Sequence, residues 1–307
     1  MARDRPQRPA GVARGFADHL RLARCTGGQT VTTTTTTTTT ATPVTQRAVA
    51  VVTGAARGIG AAVALQLARQ DFDLVLVDAP SVDAIAGLGY DLGSQDELQE
   101  VAALCRALGA EIHVMAADVR DEAALALAVE LVEPGRLHAV VSVAGIIGSD
   151  APAWEFSRAD LDRDMDTNFH GVANLARVSV PALLHAPHGR GRFVAIVSTA
   201  GETGLPRLAG YVSSKHAALG YIRSLAADLG PLGVTANAVL PGSTRTALLQ
   251  RSARVYDLPD VDAFAPHQRL ARILEPSEIA AAVGWLCSPA SSAVTGIALR
   301  VDGGFVG

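Results

Sequence analysis

The chain has 307 residues and a net charge of −4, with 49% hydrophobic but only 4% aromatic residues, so its length fits one large domain or two small ones with an aliphatic core. No apolar run of about 18 residues occurs and the start lacks a continuous apolar segment, so we expect neither a transmembrane helix nor a secretory signal. The acidic balance of the body disfavours nucleic-acid binding.

The cysteine content argues against disulfide or zinc chemistry. Cys25, Cys105 and Cys287 are odd in number and lie far apart, without metal-ligand spacing. We therefore expect no metal site, and the cysteine usage fits a reducing cytoplasm.

The N-terminal segment differs in composition from the rest of the chain. Thr32–Thr40 is an unbroken threonine run, and residues 1–47 carry seven Arg and two Asp. Such a stretch cannot present a periodic apolar face, so we expect residues 1–45 to be a disordered Arg- and Thr-rich extension. An arm that binds an acidic partner is the alternative.

From Ala48 onward, short apolar segments alternate with amphipathic ones. The expected strands are Ala48–Val52, Leu74–Val77, Ile112–Met115, Ala139–Val143, Phe193–Val197, Thr235–Val239 and Ile297–Val301. Helical periodicity occurs between them, for example at Ala61–Gln70, Asp96–Leu108, Glu122–Val132 and Tyr211–Leu229. This alternation predicts an α/β fold: a single Rossmann-type doubly wound domain over residues 46–307, with a seven-stranded parallel sheet and helices on both faces.

A glycine-rich turn joins the first strand to the first helix. Its glycines follow the spacing Gly-x-x-x-Gly-x-Gly, which allows a tight turn and a close approach of backbone N–H groups to a pyrophosphate. The motif alone is weak, and a turn that serves only packing is the alternative, but the strand before it and the helix after it are the right context. We assign cofactor contacts to Gly54, Arg57, Gly58, Ile59 and Gly60.

The second strand ends at an acidic residue. Asp78 lies 18 residues after Gly60, where a carboxylate would accept hydrogen bonds from the adenosine ribose hydroxyls and repel a 2′-phosphate. This favours NAD over NADP as the cofactor. The alternative is a solvated aspartate at a strand end.

The chemistry-bearing pair is Tyr211 and Lys215, which lie on one face of an expected helix. Lys215 is the only lysine in a chain with 25 Arg. A nearby ammonium lowers the pKa of a phenol from about 10 towards the working range, and such a tyrosine can exchange a proton with an alcohol or carbonyl oxygen. Ser198, at the end of the fifth strand, could hydrogen-bond the same oxygen.

Together these features resemble the short-chain dehydrogenase/reductase family over residues 47–307. The resemblance extends to Asp118-Val119, Ala144-Gly145, Asn168, Pro241-Gly242, Thr246 and Val301–Gly304. It implies an NAD-dependent enzyme that acts on CH–OH donors, with Tyr211 as general acid/base, Lys215 lowering its pKa and binding the nicotinamide ribose, and Ser198 positioning the reacting oxygen. The remaining implied roles are a relay water at Asn168, an adenine pocket at Asp118 and Val119, a glycine backbone approach at Ala144-Gly145, and nicotinamide carboxamide contacts from Pro241, Gly242, Thr244 and Thr246.

Two segments depart from the usual family pattern. Ser142-Val143-Ala144-Gly145 replaces Asn-Asn-Ala-Gly, and Asp78 lies 40 positions before Asp118, so that residues 79–114 contain an insertion near the adenosine site. Residues 243–274 are expected to form a mobile substrate lid. The lid offers mainly apolar side chains, which indicates an apolar to moderately polar alcohol: Leu248, Leu249, Val255, Tyr256, Leu258 and Phe264.

The insertion, Ala153-Trp154-Glu155 and the stretch Gly284–Gly296 resemble the mycofactocin-associated subfamily. That resemblance implies a tightly held NAD with the insertion as its cover, and mycofactocin as the external redox partner. The family likeness implies a homotetramer. The alternatives are an ordinary alcohol dehydrogenase or carbonyl reductase that exchanges NAD(H) freely, and a non-catalytic dinucleotide-binding sensor.

Overall fold

The computed structural model describes residues 46–79, 81, 83–187 and 189–306, and the extension expected over residues 1–45 lies outside this part of the chain. Seven strands are present: β1 Ala48–Thr53, β2 Phe72–Asp78, β3 Ile112–Ala116, β4 Leu137–Ser142, β5 Arg192–Ile196, β6 Thr235–Pro241 and β7 Ala298–Val301. The helices are α1 Gly58–Arg69, α2 Gln95–Ala107, α3 Glu122–Glu130, α4 Arg158–Met165, α5 Gly171–Leu183, α6 Ala209–Leu229, α7 Ala247–Val255 and α8 Pro276–Cys287.

The strands form one parallel sheet in the order β3-β2-β1-β4-β5-β6-β7. The expected fold class is confirmed, and every expected strand is present with ends that shift by at most two residues. The direction of the strand order reverses beside β1, which pairs with β2 on one side and β4 on the other. In sheets of this kind, ligands bind at the carboxyl ends of the strands at such a point.

Alternate side chains of the buried strands feed two separate core layers. In β1, Ala50 and Val52 pack into the layer covered by α1, α2 and α8, whereas Val49 and Val51 pack into the layer covered by α3, α5 and α6. Helices on both faces explain why the strands read as continuously apolar.

The helix ends follow local signals. Ser94 and Glu97 form a reciprocal capping box that starts α2 and so ends the inserted segment. By contrast α1 begins after Arg57 with no side-chain cap and no acidic residue in its first turn. Its first N–H groups are therefore left for another partner.

The sequence predicts no transmembrane helix, no metal site and no disulfide, and the described residues can be examined for each. Within them, no helix combines the length and apolar character needed to cross a bilayer, and no three His, Cys, Asp or Glu side chains group as metal ligands. Cys105 and Cys287 are buried free thiols, and Cys25 lies outside the described residues.

The packing of α2 gives a direct test of the fold. Leu98 is 0% exposed against the sheet, so Leu98→Ala should lower the free energy of unfolding by about 2–5 kcal/mol through lost apolar contact and a residual cavity. Leu104 on the same helix is 55% exposed, and Leu104→Ala should change it by less than about 0.5 kcal/mol. Urea denaturation measures both; equal losses would contradict this placement of α2.

Candidate active site

A cleft of about 650 Å³ opens at the carboxyl ends of the strands. The residues assigned to cofactor binding all line it: Gly54, Arg57, Gly58, Ile59, Gly60, Asp78, Asp118, Val119, Ala144, Gly145, Tyr211, Lys215, Pro241, Gly242, Thr244 and Thr246. Ser198 lines the cleft too. Asn168 is fully buried behind the cleft wall, where its side chain is hydrogen-bonded to the backbone of the cleft residue Ile146. The sequence motifs thus converge on one place.

The glycine turn has the close contacts expected of a phosphate-binding loop. Gly54 and Gly58 have φ values of +67° and +56°, a region that favours glycine. A Cβ at Gly54 would lie 2.7 Å from the backbone nitrogen of Ala144, and a Cβ at Gly60 only 1.8 Å from the carbonyl oxygen of Gly54. With the uncapped start of α1, this backbone cradle fits a pyrophosphate.

Asp78 lies on the wall of the cleft at the end of β2. Its carboxylate accepts hydrogen bonds from the backbone N–H groups of Ala56 (2.7 Å) and Ala79 (2.8 Å). Burial raises the pKa of Asp78, while these hydrogen bonds and the nearby Arg57 act in the opposite direction. The carboxylate is held in a fixed orientation, which suits a contact to ribose hydroxyls.

The loop after β3 forms the wall of the cleft where the sequence predicts the adenine pocket. Partial burial would raise the pKa of Asp118, but hydrogen bonds and charge from Arg120 outweigh it and hold that pKa below its usual value. The backbone oxygen of Val119 accepts a hydrogen bond from Asn174, and a Cβ at Gly171 would lie 2.7 Å from the Val119 side chain. This wall is therefore rigid.

Ser198, Tyr211 and Lys215 line the cleft beyond the glycine turn. The Ser198 hydroxyl accepts a hydrogen bond from the N–H of Ala200 (3.1 Å). The Lys215 ammonium donates to the carbonyl of Ile196 (3.2 Å) and lies 5.7 Å from the centre of the Tyr211 ring. A hydroxyl, a phenol and an ammonium thus face one region, as acid–base chemistry on an oxygen requires.

The electrostatics of this pair differ from the sequence expectation. Burial raises the pKa of Tyr211 to about 12, although the Ser198 hydroxyl acts in the opposite direction. Burial also lowers the pKa of Lys215 to about 8. Lys215 was expected to lower the pKa of Tyr211, but in this geometry burial dominates both groups because each loses the hydration that stabilises its charged form.

Asn168 lies in a π-helical turn, Asp166–His170, between α4 and α5. Its side chain accepts from the N–H of Ile146 (2.8 Å) and donates to the carbonyl of Ile146 (2.9 Å) and to Ser214 (3.0 Å). The amide therefore clamps the loop after β4, and its polar side-chain atoms are engaged by protein. The expected role of Asn168 in holding a relay water stays a prediction, because the observed contacts of its side chain are all with protein atoms.

The turn after β6 is held by its own hydroxyls. Thr244 donates to the carbonyl of Gly242, and Thr246 donates to the carbonyl of Thr244 while accepting from the N–H of Leu249 to cap α7. Gly242 and Thr244 line the same cleft as Gly54 and Lys215, and a Cβ at Gly58 would lie 3.3 Å from the Thr246 side chain, so this turn approaches the glycine turn; its nicotinamide contacts stay a prediction.

Comparison with known proteins agrees with this geometry. A family model described as enoyl-(acyl carrier protein) reductase matches residues 54–306. An uncharacterized oxidoreductase of Mycobacterium tuberculosis is 35% identical over 84% of this chain and 96% of its own. (-)-trans-Carveol dehydrogenase of Rhodococcus erythropolis is 32% identical over 83% of this chain and 96% of its own. The chain belongs to the short-chain dehydrogenase/reductase family.

A solved structure supports the same conclusion. Carveol dehydrogenase from Mycobacterium avium, in complex with NAD, superposes with a TM-score of 0.78 at 32% identity, over 84% of this chain and 96% of that one. The expectation of an NAD-dependent short-chain dehydrogenase/reductase is thereby confirmed at the level of the family.

The insertion of this short-chain dehydrogenase/reductase borders the cleft. Ile85 and Leu88 pack on Ile146, and the Tyr90 hydroxyl accepts a hydrogen bond from the N–H of Ile147 (3.0 Å). Arg57, in the glycine turn, donates to the carbonyl of Asp91. Tyr90, Leu92 and Gly93 are cleft residues that the sequence analysis did not assign; an aromatic residue between glycine and aspartate was the available signal.

Most of the apolar side chains named for the expected lid line the cleft, while the lid itself stays a prediction. Leu248, Leu249, Tyr256, Leu258 and Phe264 line the cleft. Val255 does not, because it is buried in a small cluster with Ile147, Ala200, Leu208 and Tyr211. The cleft is also lined by residues that no sequence pattern predicted, namely Leu205, Pro206, Leu208, Ser252, His267 and Phe305.

The contacts of Asn168 predict a structural cost for its loss. Asn168→Ala leaves the N–H and the carbonyl of Ile146 unpaired in a buried site, which should lower the free energy of unfolding by about 1–3 kcal/mol. Asn174→Ala is the control, since this partly exposed amide can be replaced by water and should cost less. Thermal and urea denaturation measure both, and a neutral Asn168→Ala would refute the clamp.

Proposed function

We propose that residues 46–307 form the catalytic domain of an NAD-dependent oxidoreductase that interconverts an alcohol and a carbonyl compound. The observation that carries the proposal is the convergence of Ser198, Tyr211 and Lys215 on a cleft whose other half is a glycine cradle beside Asp78. The cradle has the shape that a dinucleotide needs, and the trio has the groups that proton transfer needs. In this proposal residues 243–274 act as the substrate lid.

The chain's own residues would handle the proton. NAD, when bound, supplies the acceptor or donor site for hydride. In the oxidative direction Tyr211 takes the proton of the substrate hydroxyl, and Ser198 holds the same oxygen by a hydrogen bond. Lys215 binds the nicotinamide ribose hydroxyls and offsets the negative charge that develops on Tyr211.

Asp78 supports NAD rather than NADP. Two backbone N–H groups fix its carboxylate at the cleft wall. A 2′-phosphate on the ribose would place negative charge beside this carboxylate, whereas ribose hydroxyls can donate hydrogen bonds to it.

The substrate end supports an apolar alcohol. It is lined mainly by aliphatic and aromatic side chains, with few polar groups: Leu205, Leu208, Leu248, Leu249, Tyr256, Leu258, Phe264, Ser252 and His267. Because relatives include carveol dehydrogenases, a cyclic secondary alcohol such as carveol is the first substrate to test.

We further propose that NAD is tightly held and that mycofactocin is the external redox partner. The support is the subfamily resemblance together with three hydrogen bonds that anchor the insertion. They join the Tyr90 hydroxyl to the Ile147 N–H, the Asp91 carbonyl to Arg57, and the Ala84 carbonyl to Arg120. These three attachments bridge the insertion to both sides of the cofactor cleft. The alternative is an ordinary dehydrogenase or reductase that exchanges NAD(H) freely.

Assembly and location complete the proposal. A homotetramer is favoured by the family likeness, and the edge position of β7 and the exposed side chain of Trp285 in α8 are compatible with contacts between subunits. A cytoplasmic location is supported by the free thiols of Cys105 and Cys287.

Removal of the acid–base hydroxyl tests the mechanism. Tyr211→Phe should lower kcat by a factor of about 100 or more while NAD binding is kept, because only the proton-transfer group is lost. Lys215→Arg should also largely abolish activity, since a planar guanidinium cannot replace a compact ammonium at this site. Steady-state kinetics with carveol measure both variants. Near-wild-type rates would show that another group carries the proton. If the wild type turned over no alcohol in a broad panel, the non-catalytic sensor would be favoured.

The state of the cofactor separates the two finer proposals. Protein purified under native conditions should release NAD in near-stoichiometric amount on denaturation, detected by mass spectrometry, and should turn over carveol with an artificial electron acceptor but slowly with free NAD. Arg57→Lys, which replaces the guanidinium that donates to the backbone carbonyl of Asp91, should speed NAD loss, whereas Arg158→Lys on the exposed surface should not. Recovery of protein that binds and releases NAD readily would leave the freely exchanging dehydrogenase.

A further inference from the structure

Asp164 of α4 is a buried carboxylate that the mechanism above does not use. Its side chain is 0% exposed. One oxygen, Oδ1, accepts a hydrogen bond from the N–H of Gly148 (3.0 Å), while Oδ2 has no hydrogen-bond partner among the described residues. An unpaired carboxylate oxygen in a protein interior costs free energy, so its presence calls for a physical explanation.

The surroundings of Asp164 leave room for the carboxylate. A Cβ at Gly148 would lie 3.1 Å from Oδ2, and a Cβ at Gly210 only 2.5 Å from it. Gly210 directly precedes Tyr211 in the first turn of α6, and α6 begins at Ala209 without a side-chain cap from the preceding Leu208. The carboxylate therefore sits by the positive end of the helix that carries both Tyr211 and Lys215, where a negative charge is favourable.

Three elements bring titratable groups to face Asp164. Its own helix contributes Arg163 and Asp160, α6 contributes Lys215 and Tyr211, and the insertion contributes Tyr90. The loop after β4 adds the backbone of Gly148, whose carbonyl accepts a hydrogen bond from Arg251 of α7, and Arg251 is in turn paired with Asp150 of the same loop.

The charge of Asp164 acts on the same groups that handle the proton. Burial raises the pKa of Asp164 to about 6, so the carboxyl is mainly ionised at neutral pH. This charge raises the pKa of Lys215 against the effect of burial, and it adds to the effect of burial in raising the pKa of Tyr211.

We propose that Asp164 is a positioning residue for proton transfer: its carboxylate, sealed behind the cleft wall at the start of α6, holds the proton on the Tyr211–Lys215 pair and so sets the pH at which the pair exchanges it. The inference rests on the proposed oxidoreductase function. Lys215 keeps its ammonium in a buried site because the negative charge of the Asp164 carboxylate stabilises it. Tyr211 in turn is kept as a phenol until the substrate is in place.

Removal of the charge has a defined consequence for the pH profile. Asp164→Asn keeps an acceptor for the Gly148 N–H but carries no charge, so the pair should release its proton at lower pH. The acid limb of kcat/KM for carveol oxidation and the alkaline limb for carvone reduction should therefore both move down by about one pH unit. A residue that only packs would lower the rate evenly at all pH values.

The kinetic experiment compares Asp164→Asn with Asp162→Asn. Asp162 lies on the same helix with a 47% exposed side chain, paired with Arg158, and its variant should leave both limbs in place. Holoenzyme profiles from about pH 5 to about pH 10, with an artificial electron acceptor for oxidation, provide the measurement. Limbs that stay in place in Asp164→Asn would overturn the proposal.

A second measurement does not depend on turnover. The pKa of Asp164 is raised from 3.8 to about 6, so the folded state holds this proton more tightly than the unfolded state does. Stability should therefore fall as pH rises from about 4 to about 6 and level off above, and Asp164→Asn should abolish this fall. In Lys215→Met the loss of the ammonium should raise the pKa of Asp164 and extend the fall upward by about one pH unit.

The two measurements separate the two levels of the proposal. If the wild type shows no turnover with any alcohol or carbonyl, the proposed function fails, while the stability profiles still decide whether Asp164 and Lys215 are coupled. If Lys215→Met does not fold, Lys215→Gln takes its place. Stability profiles that are the same with and without the lysine would refute the coupling whatever the enzyme catalyses.

Discussion

The close approach of two backbone segments at the carboxyl ends of β1 and β4 is the constraint on which the site depends. Gly54 lies so near Ala144 that no side chain fits between them, and Gly60 is packed on the carbonyl of Gly54. This contact sets the start of α1 against the end of β4, and the cleft opens where they diverge. Asn168 then clamps the β4 loop by both polar groups of Ile146, so the floor of the cleft is fixed by backbone contacts rather than by side-chain packing alone.

Burial shapes the chemistry of the opposite wall. Tyr211 and Lys215 share one face of α6 and are both removed from water. Burial therefore raises the pKa of Tyr211 and lowers the pKa of Lys215 relative to their ordinary values. The buried carboxylate of Asp164, which belongs to α4 and lies against the start of α6, partly offsets the loss of hydration at Lys215. The acid–base properties of the site thus belong to three titratable groups, Tyr211, Lys215 and Asp164, and no single residue determines them.

The sequence predicted the sheet well because both faces of each strand are covered, which makes the strands continuously apolar between glycine-rich turns. It also predicted residues that the structure brings together on one cleft, because glycine and strand-end positions carry local signals. It did not locate Tyr90, Leu92 or His267, since loop paths in the insertion and lid have no periodicity. The π-helical turn at Asn168 and the burial of Asp164 were equally out of reach, because they arise from tertiary packing of α4 against α6.

The burial of Lys215 has a practical consequence for labelling chemistry. It carries the only side-chain amine in the chain, it is 3% exposed, and burial lowers its pKa to about 8. For an amine-directed reagent small enough to enter the cleft, Lys215 is therefore the one lysine target, and its lowered pKa leaves more of it unprotonated at neutral pH than in an exposed lysine. Acylation of Lys215 would therefore report the accessibility of the cleft without an engineered probe.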